Sequence, residues 1–282
     1  MPDEDEPTEV WHPVPAGWIR VAPEPPRRLR WNLWGRLDEV RTGRVPFDAR
    51  KPAHWLAGGI AGFVILILVW ELVDQSLAAL QGAGPTGGGG GSLWILLGFN
   101  LVFLVTPAVV WVVIMYEGGW RALATRLLLR SDHLFLDVLI GVGLGVAGIL
   151  VSFVVSLLYA AAGGSTDNPL VEDLSKELTW GLVFFIPFVA AVSEEIFFRG
   201  FLQMRIGVIP GSVAFGFVHL SYQTPLQVIV PLLLGLVLTA GMLGRRSLVP
   251  ALVGHFMFNF IVLALLKVVP TGDPVGALWS LL

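Results

Sequence analysis

The chain has 282 residues, 55% of them hydrophobic and only 14% charged, with a mean hydropathy of +0.76. A soluble domain carries about 25% charged residues, so an ordinary water-soluble fold is excluded; the absence of cysteine likewise removes disulfides, thiol catalysis and Cys-ligated metals. A net charge of −3 gives no global basic character, and no nucleic-acid partner is expected.

In chain order, residues 1–52 read as a polar cytoplasmic tail with nine basic and nine acidic residues, followed by a membrane-embedded helical domain over 53–282. The opening MPDEDEPTE lacks the positive stretch of a signal peptide. Residues 13–26 are rich in proline and are expected to be irregular. Residues 31–44 mix Trp, Leu and Arg, and fit either a short interfacial helix or disordered tail. Beyond residue 54, apolar stretches alternate with short polar breaks. About 20 residues are needed to span a bilayer, and spans are predicted at 56–80, 93–116, 134–162, 178–204, 208–222, 226–243 and 248–269, the fifth being the shortest. Residues 82–92 form a Gly-rich linker, residues 163–177 a polar loop, and Pro210, Pro225 and Pro250 lie near helix starts, where proline is tolerated. The expected fold is therefore all-α, a multi-pass membrane bundle of about seven helices. With the N-terminus cytoplasmic, sixteen of the eighteen Lys and Arg residues fall on the inner side and an acidic loop falls outside.

Ionisable groups inside a bilayer are costly and mark function by default. Those present are Glu71, Asp74, Glu194, Glu195, Arg199, His219 and His255, with Asn100, Gln203 and Asn259 as uncharged companions. Glu195 and Arg199 stand four residues apart, so they share a helix face and can pair. Glu194 points about 100° away with no local cation, which suits a general base. His255 and Asn259 share a face of the seventh helix. A packing role remains open for each residue alone. Counted from the inner helix ends, however, Glu194, His219 and His255 all lie at a depth of roughly 14–17 Å. A common polar cavity explains one shared level; unrelated structural residues do not. Glu71 and Asp74 either mark the outer end of the first helix or line the cavity mouth.

The pattern Glu194-Glu195-x-x-x-Arg199, Phe215-x-x-x-His219 and His255-x-x-x-Asn259 resembles the CPBP family, the intramembrane CAAX-protease and bacteriocin-processing (ABI, type II CAAX endopeptidase) proteins. The resemblance covers about residues 175–270. It implies an intramembrane endopeptidase of the cell membrane, acting on a membrane-associated protein or peptide in a conical cavity open toward the cytoplasm or lipid. Glu194 and His219 would activate water, His255 and Asn259 would stabilise the oxyanion, and Glu195 and Arg199 would support the site. Either no cofactor is required, or zinc is held by Glu194, His219 and His255; no HExxH helix decides between them. A non-catalytic membrane scaffold of the same fold is the alternative. A proton-coupled transporter is a third reading, but no repeat relates the two halves of the chain.

Overall fold

The computed structural model describes residues 10–14, 17–21, 33–34, 45–80, 93–164, 178–220 and 225–269. The Gly-rich stretch at 82–92, most of the 163–177 loop and all of 31–44 except residues 33–34 lie outside them. One part of the tail departs from expectation. Residues 13–26 are not wholly irregular, because β1 (Val10–Val14) pairs antiparallel with β2 (Gly17–Val21), Val10 opposite Val21 and Val14 opposite Gly17. Val, Trp and Ile favour the extended chain, and a two-residue separation is the length of a tight hairpin.

Among the described residues, seven main helices follow. They are α1 (Pro52–Leu80), α2 (Leu93–Met115), α3 (Leu134–Ala161), α4 (Trp180–Glu194), α5 (Val208–Phe217), α6 (Leu226–Arg245) and α7 (Val249–Val268). Thr179 caps α4, its hydroxyl accepting from Leu182 N at 3.3 Å. The helix continues past Glu194 as a π-helical stretch, Glu195–Gln203, and a last turn, Met204–Ile206. Gly207, at φ 98°, then makes the sharp reversal into α5 that residues with a side chain rarely adopt.

Five segments among the described residues are long and apolar enough to cross a membrane: Pro52–Trp70, Leu134–Ala161, Trp180–Ile206, Leu226–Arg245 and Val249–Val268. α2 adds 23 residues. The fifth expected span is corrected. Its helix covers only ten residues, Val208–Phe217, about 15 Å against a hydrocarbon core of roughly 30 Å. The chain turns at Val218 and His219, and the His219 ring takes up the carbonyl of Phe215.

Small residues set the packing. A Cβ added at Gly145 of α3 would lie 2.8 Å from Met257 Cβ and 2.9 Å from Gly254 O of α7, and one at Gly141 would meet Val253 and Pro250. α3 and α7 therefore run side by side in the same direction with their backbones close, as small residues allow in membranes. α6 runs opposite to both, with Leu234 against Gly148, Leu238 against Gly254 and Leu144 against Gly241. α5 lies antiparallel on α6, Gly216 against Leu232 and Ser212 near Gly235. Phe197, Phe198 and Phe201 of the π-helical stretch and Met204 of the turn after it fill the centre with Met115, Leu238 and Met242.

At the basic end of the bundle, the segment after α2 folds back under this core. Leu248 N donates to Leu128 O at 2.7 Å, and Asp137 at the start of α3 pairs with Arg245 at the end of α6, Oδ1 to Nε 2.6 Å. Val45 N bonds Met115 O, and Asp48 N donates to His54 Nδ1, so the entry to α1 is tied to the bundle. His54 is buried there, which adds a third enclosed histidine to the two expected from sequence.

Candidate functional site

Glu194, Glu195, Arg199, His219 and His255 converge where the end of α4, the turn after α5 and the second turn of α7 meet. Glu195 and Arg199 pair as expected, Oε1 to Nη1 2.8 Å, and are 0% and 1% exposed. The π-helical winding keeps them on one face. The guanidinium lies over the Phe215 ring, 3.9 Å from its centroid, a desolvated cation–π contact. Glu195 Oε1 also accepts from His255 Nδ1 at 2.7 Å, while its Oε2 has no hydrogen-bond partner among the described residues.

Among the described residues, the ion-pair partners within 4.0 Å of Glu194 are the two histidines and no Lys or Arg. Glu194 Oε2 stands 4.0 Å from His219 Nε2 and 3.9 Å from His255 Nε2, and makes no direct hydrogen bond among the described residues. Both imidazoles are oriented from behind. His219 Nδ1 faces the Phe215 carbonyl at 2.8 Å and His255 Nδ1 faces the Glu195 carboxylate. A backbone carbonyl and a carboxylate paired with Arg199 both accept, so each Nδ1 is placed to donate and each ring turns its Nε2 toward Glu194. Separations of 3.9 and 4.0 Å are too long for a direct hydrogen bond and are readily bridged by one water. A water that donates one proton to Glu194 and one to an imidazole keeps its oxygen lone pairs for attack.

The same donors have the chemistry of zinc ligands, with each imidazole's far nitrogen bonded to a carboxylate or carbonyl. Ligands 2.0–2.1 Å from a tetrahedral ion stand about 3.3 Å apart, closer than Glu194 Oε2 stands to either Nε2. Among the described residues no group of three His, Asp or Glu side chains has a metal-holding arrangement.

Asn259 lies one turn beyond His255 on α7 and is half-buried. Asp74 is exposed on α1, Asn100 is exposed on α2, and the Glu71 side chain lies outside the described residues. Sequence reasoning missed the layer beneath Arg199. Gln203 Nε2 donates to Val208 O at 3.1 Å and Ser212 Oγ at 3.3 Å, while its Oε1 accepts from Thr239 Oγ1 at 2.9 Å. Gln203 itself stands out in sequence. Ser212 and Thr239 do not, because small hydroxyl residues in apolar helices usually bond their own backbone, as Thr239 also does to Gly235 O. Asp137, buried against Arg245, was also missed; its signal is a lone acid in the first turn of an otherwise apolar helix.

No curated protein and no solved structure matches the chain. Residues 176–261, which contain all seven residues named in the three motifs, match the family model described as Type II CAAX prenyl endopeptidase Rce1-like. Over this C-terminal stretch the chain is similar to the Rce1-like CAAX protease family, the family its three motifs resemble.

Proposed function

We propose that the chain is an intramembrane endopeptidase of the cell membrane that hydrolyses a peptide bond of a membrane-associated protein or peptide with a water activated by Glu194 and His219. The observation that carries this reading is the Glu194 carboxylate oxygen set 4.0 and 3.9 Å from two imidazole Nε2 atoms whose far nitrogens are already bonded. Glu194 and His219 take a proton from the water as its oxygen bonds to the scissile carbonyl carbon. That proton passes to the amine as the carbon–nitrogen bond breaks. His255, with the Glu195 carboxylate at Nδ1, is held ready to carry a second proton and donate from Nε2 to the oxyanion, beside the Asn259 amide. One such donor contributes roughly 3 kcal/mol. Arg199, paired with Glu195, holds that carboxylate in place.

Zinc is the second reading, favoured by the same outward-bonded imidazoles. Glu194, His219 and His255 would hold the ion, and it would supply Lewis acidity. Glu194 could then not also serve as the base.

Cleavage of a membrane-peptide library by the purified chain tests the proposal. Glu194→Gln and His219→Ala are each expected to lower the rate by about 10²–10⁴; undiminished cleavage in both refutes the site. A wild-type chain that cleaves nothing supports the scaffold alternative. Full activity after stoichiometric metal removal excludes the zinc reading.

A further inference from the structure

α6 carries none of the motif residues, yet it reaches the site through a residue with no side chain. Among the described residues, three contacts place the buried Arg199 guanidinium. Nη1 pairs with Glu195 Oε1 at 2.8 Å, and the group lies 3.9 Å from the centroid of the Phe215 ring. The third contact is Gly235 of α6. A Cβ added there would stand 3.1 Å from Arg199 Nη2, 3.4 Å from Phe215 Cδ1 and 3.4 Å from Ser212 Cβ. These three nearest atoms outside the local backbone all belong to side chains. At Gly141, Gly145, Gly216 and Gly254, by contrast, a neighbouring backbone oxygen stands within 3.1 Å of an added Cβ, so those glycines serve the approach of one helix to another. One turn along α6 from Gly235, Thr239 Oγ1 donates to Gln203 Oε1 at 2.9 Å. Gly235 and Thr239 are four residues apart, as are Arg199 and Gln203. The Thr239–Gln203 bond therefore fixes how far α6 slides along the Glu195–Arg199–Gln203 row, and that register sets Gly235 against the guanidinium.

Glu195 Oε1 accepts from both Arg199 Nη1 and His255 Nδ1, at 2.8 and 2.7 Å. A displaced guanidinium therefore draws with it the carboxylate that orients His255, whose Nε2 stands 3.9 Å from Glu194. Phe215, the other wall of the seat, presents its carbonyl to His219 Nδ1 at 2.8 Å. Ordinary contact begins near 3.4 Å, so a methyl group at position 235 displaces the guanidinium by a few tenths of an ångström. We propose that Gly235 is a positioning residue of the candidate active site: its bare backbone seats the Arg199 guanidinium, and through Arg199 and Glu195 it sets the aim of the His255 imidazole. The effect on cleavage rests on the protease reading above; the seating of Arg199 does not.

Gly235→Ala in the full-length chain tests this. Alanine favours a helix interior over glycine, so the substitution does not weaken α6 through its own propensity. A misplacement of about 1 Å costs roughly a hundredfold in rate, and the smaller shift here is expected to lower kcat by about tenfold at unchanged KM. Both constants are measured with one peptide that the wild-type chain cleaves. In protein labelled with nitrogen-15 histidine, the ring signals of His255, assigned with His255→Gln, are expected to shift. Arg199→Lys removes the forked end that meets the methyl group but keeps a cation for Glu195. In that background Gly235→Ala is expected to leave the His255 signals nearly unmoved. Gly244→Ala is the control, the same change on the same helix at an exposed position with no atom within 4 Å of an added Cβ. It is expected to alter neither kcat nor the signals. An unaltered kcat or unmoved His255 signals in Gly235→Ala overturn the proposal, as does an equal shift in the Arg199→Lys background or with Gly244→Ala. If Gly235→Ala does not fold, recovery of folding in Gly235→Ala/Arg199→Lys supports the seat, and failure of that double variant to fold overturns it. The histidine signals require no cleavage, so their failure is distinct from undiminished cleavage by Glu194→Gln, which refutes the protease reading instead.

Discussion

Replacing Arg199 with methionine tests what holds the catalytic level together. Methionine keeps most of the side-chain volume and its contact with Phe215, so the loss is chiefly that of the charge. Glu195 would then be a fully buried carboxylate with His255 Nδ1, at 2.7 Å, as its one remaining partner among the described residues. Removing one member of a buried ion pair costs about 3–5 kcal/mol. The surviving His255 bond offsets part of this, which places the expected loss near 3 kcal/mol, roughly a hundredfold in the folded-to-unfolded ratio. Unfolding of the full chain in mixed micelles, followed by tryptophan fluorescence, measures it. The double variant Glu195→Gln/Arg199→Met removes both charges and is expected to recover at least about 2 kcal/mol of the loss, since contacting groups couple by up to about 3 kcal/mol. Cleavage should stay impaired in the double variant, because His255 loses the carboxylate behind it. A single variant no less stable than the double would refute the reasoning, for Glu195 would then not depend on Arg199.

Thr239→Val leaves the buried Gln203 Oε1 without its donor at 2.9 Å. It should cost about 1–3 kcal/mol, measured by the same unfolding; an unchanged midpoint would show that Thr239 bonds only its own backbone. Asp137→Asn removes charge from a pair whose Arg245 side chain is 26% exposed, so solvent screens the remaining cation. The expected loss is only about 1 kcal/mol, well below that of Arg199→Met, and thermal denaturation of the two variants side by side checks the order. Gly145→Val drives a side chain against Met257 Cβ and Gly254 O at under 3 Å. Overpacking of this kind costs about 1–3 kcal/mol, and because Gly254 adjoins His255, the cleavage rate should fall with the unfolding midpoint.

Much of the site was readable before any coordinates. Glu195 and Arg199 pair because a four-residue spacing sets the geometry locally, and the π-helical winding alters it too little to separate them. The shared depth of Glu194, His219 and His255 was also legible, because a membrane helix rises a constant distance per residue and its basic ends supply the zero. The fifth span was not. Hydropathy registers 208–222 as apolar, but the Gly207 reversal and the turn at His219 limit the helix to Val208–Phe217. Burial of His54 and the pairing of β1 with β2 depend equally on contacts that composition does not record.

By itself, then, the sequence determined that this is a membrane protein, where most helices begin and end, and which polar residues share a level. These follow from hydrophobicity, local spacing and charge placement. Only the tertiary structure decided that His255 Nδ1 faces Glu195 while both Nε2 atoms face Glu194, and that Gln203, Ser212 and Thr239 close the floor of the site. Ring orientation and hydrogen-bond partners are set by how α4, α5, α6 and α7 rotate and slide against one another. Close glycine contacts fix that arrangement, and no single helix encodes it.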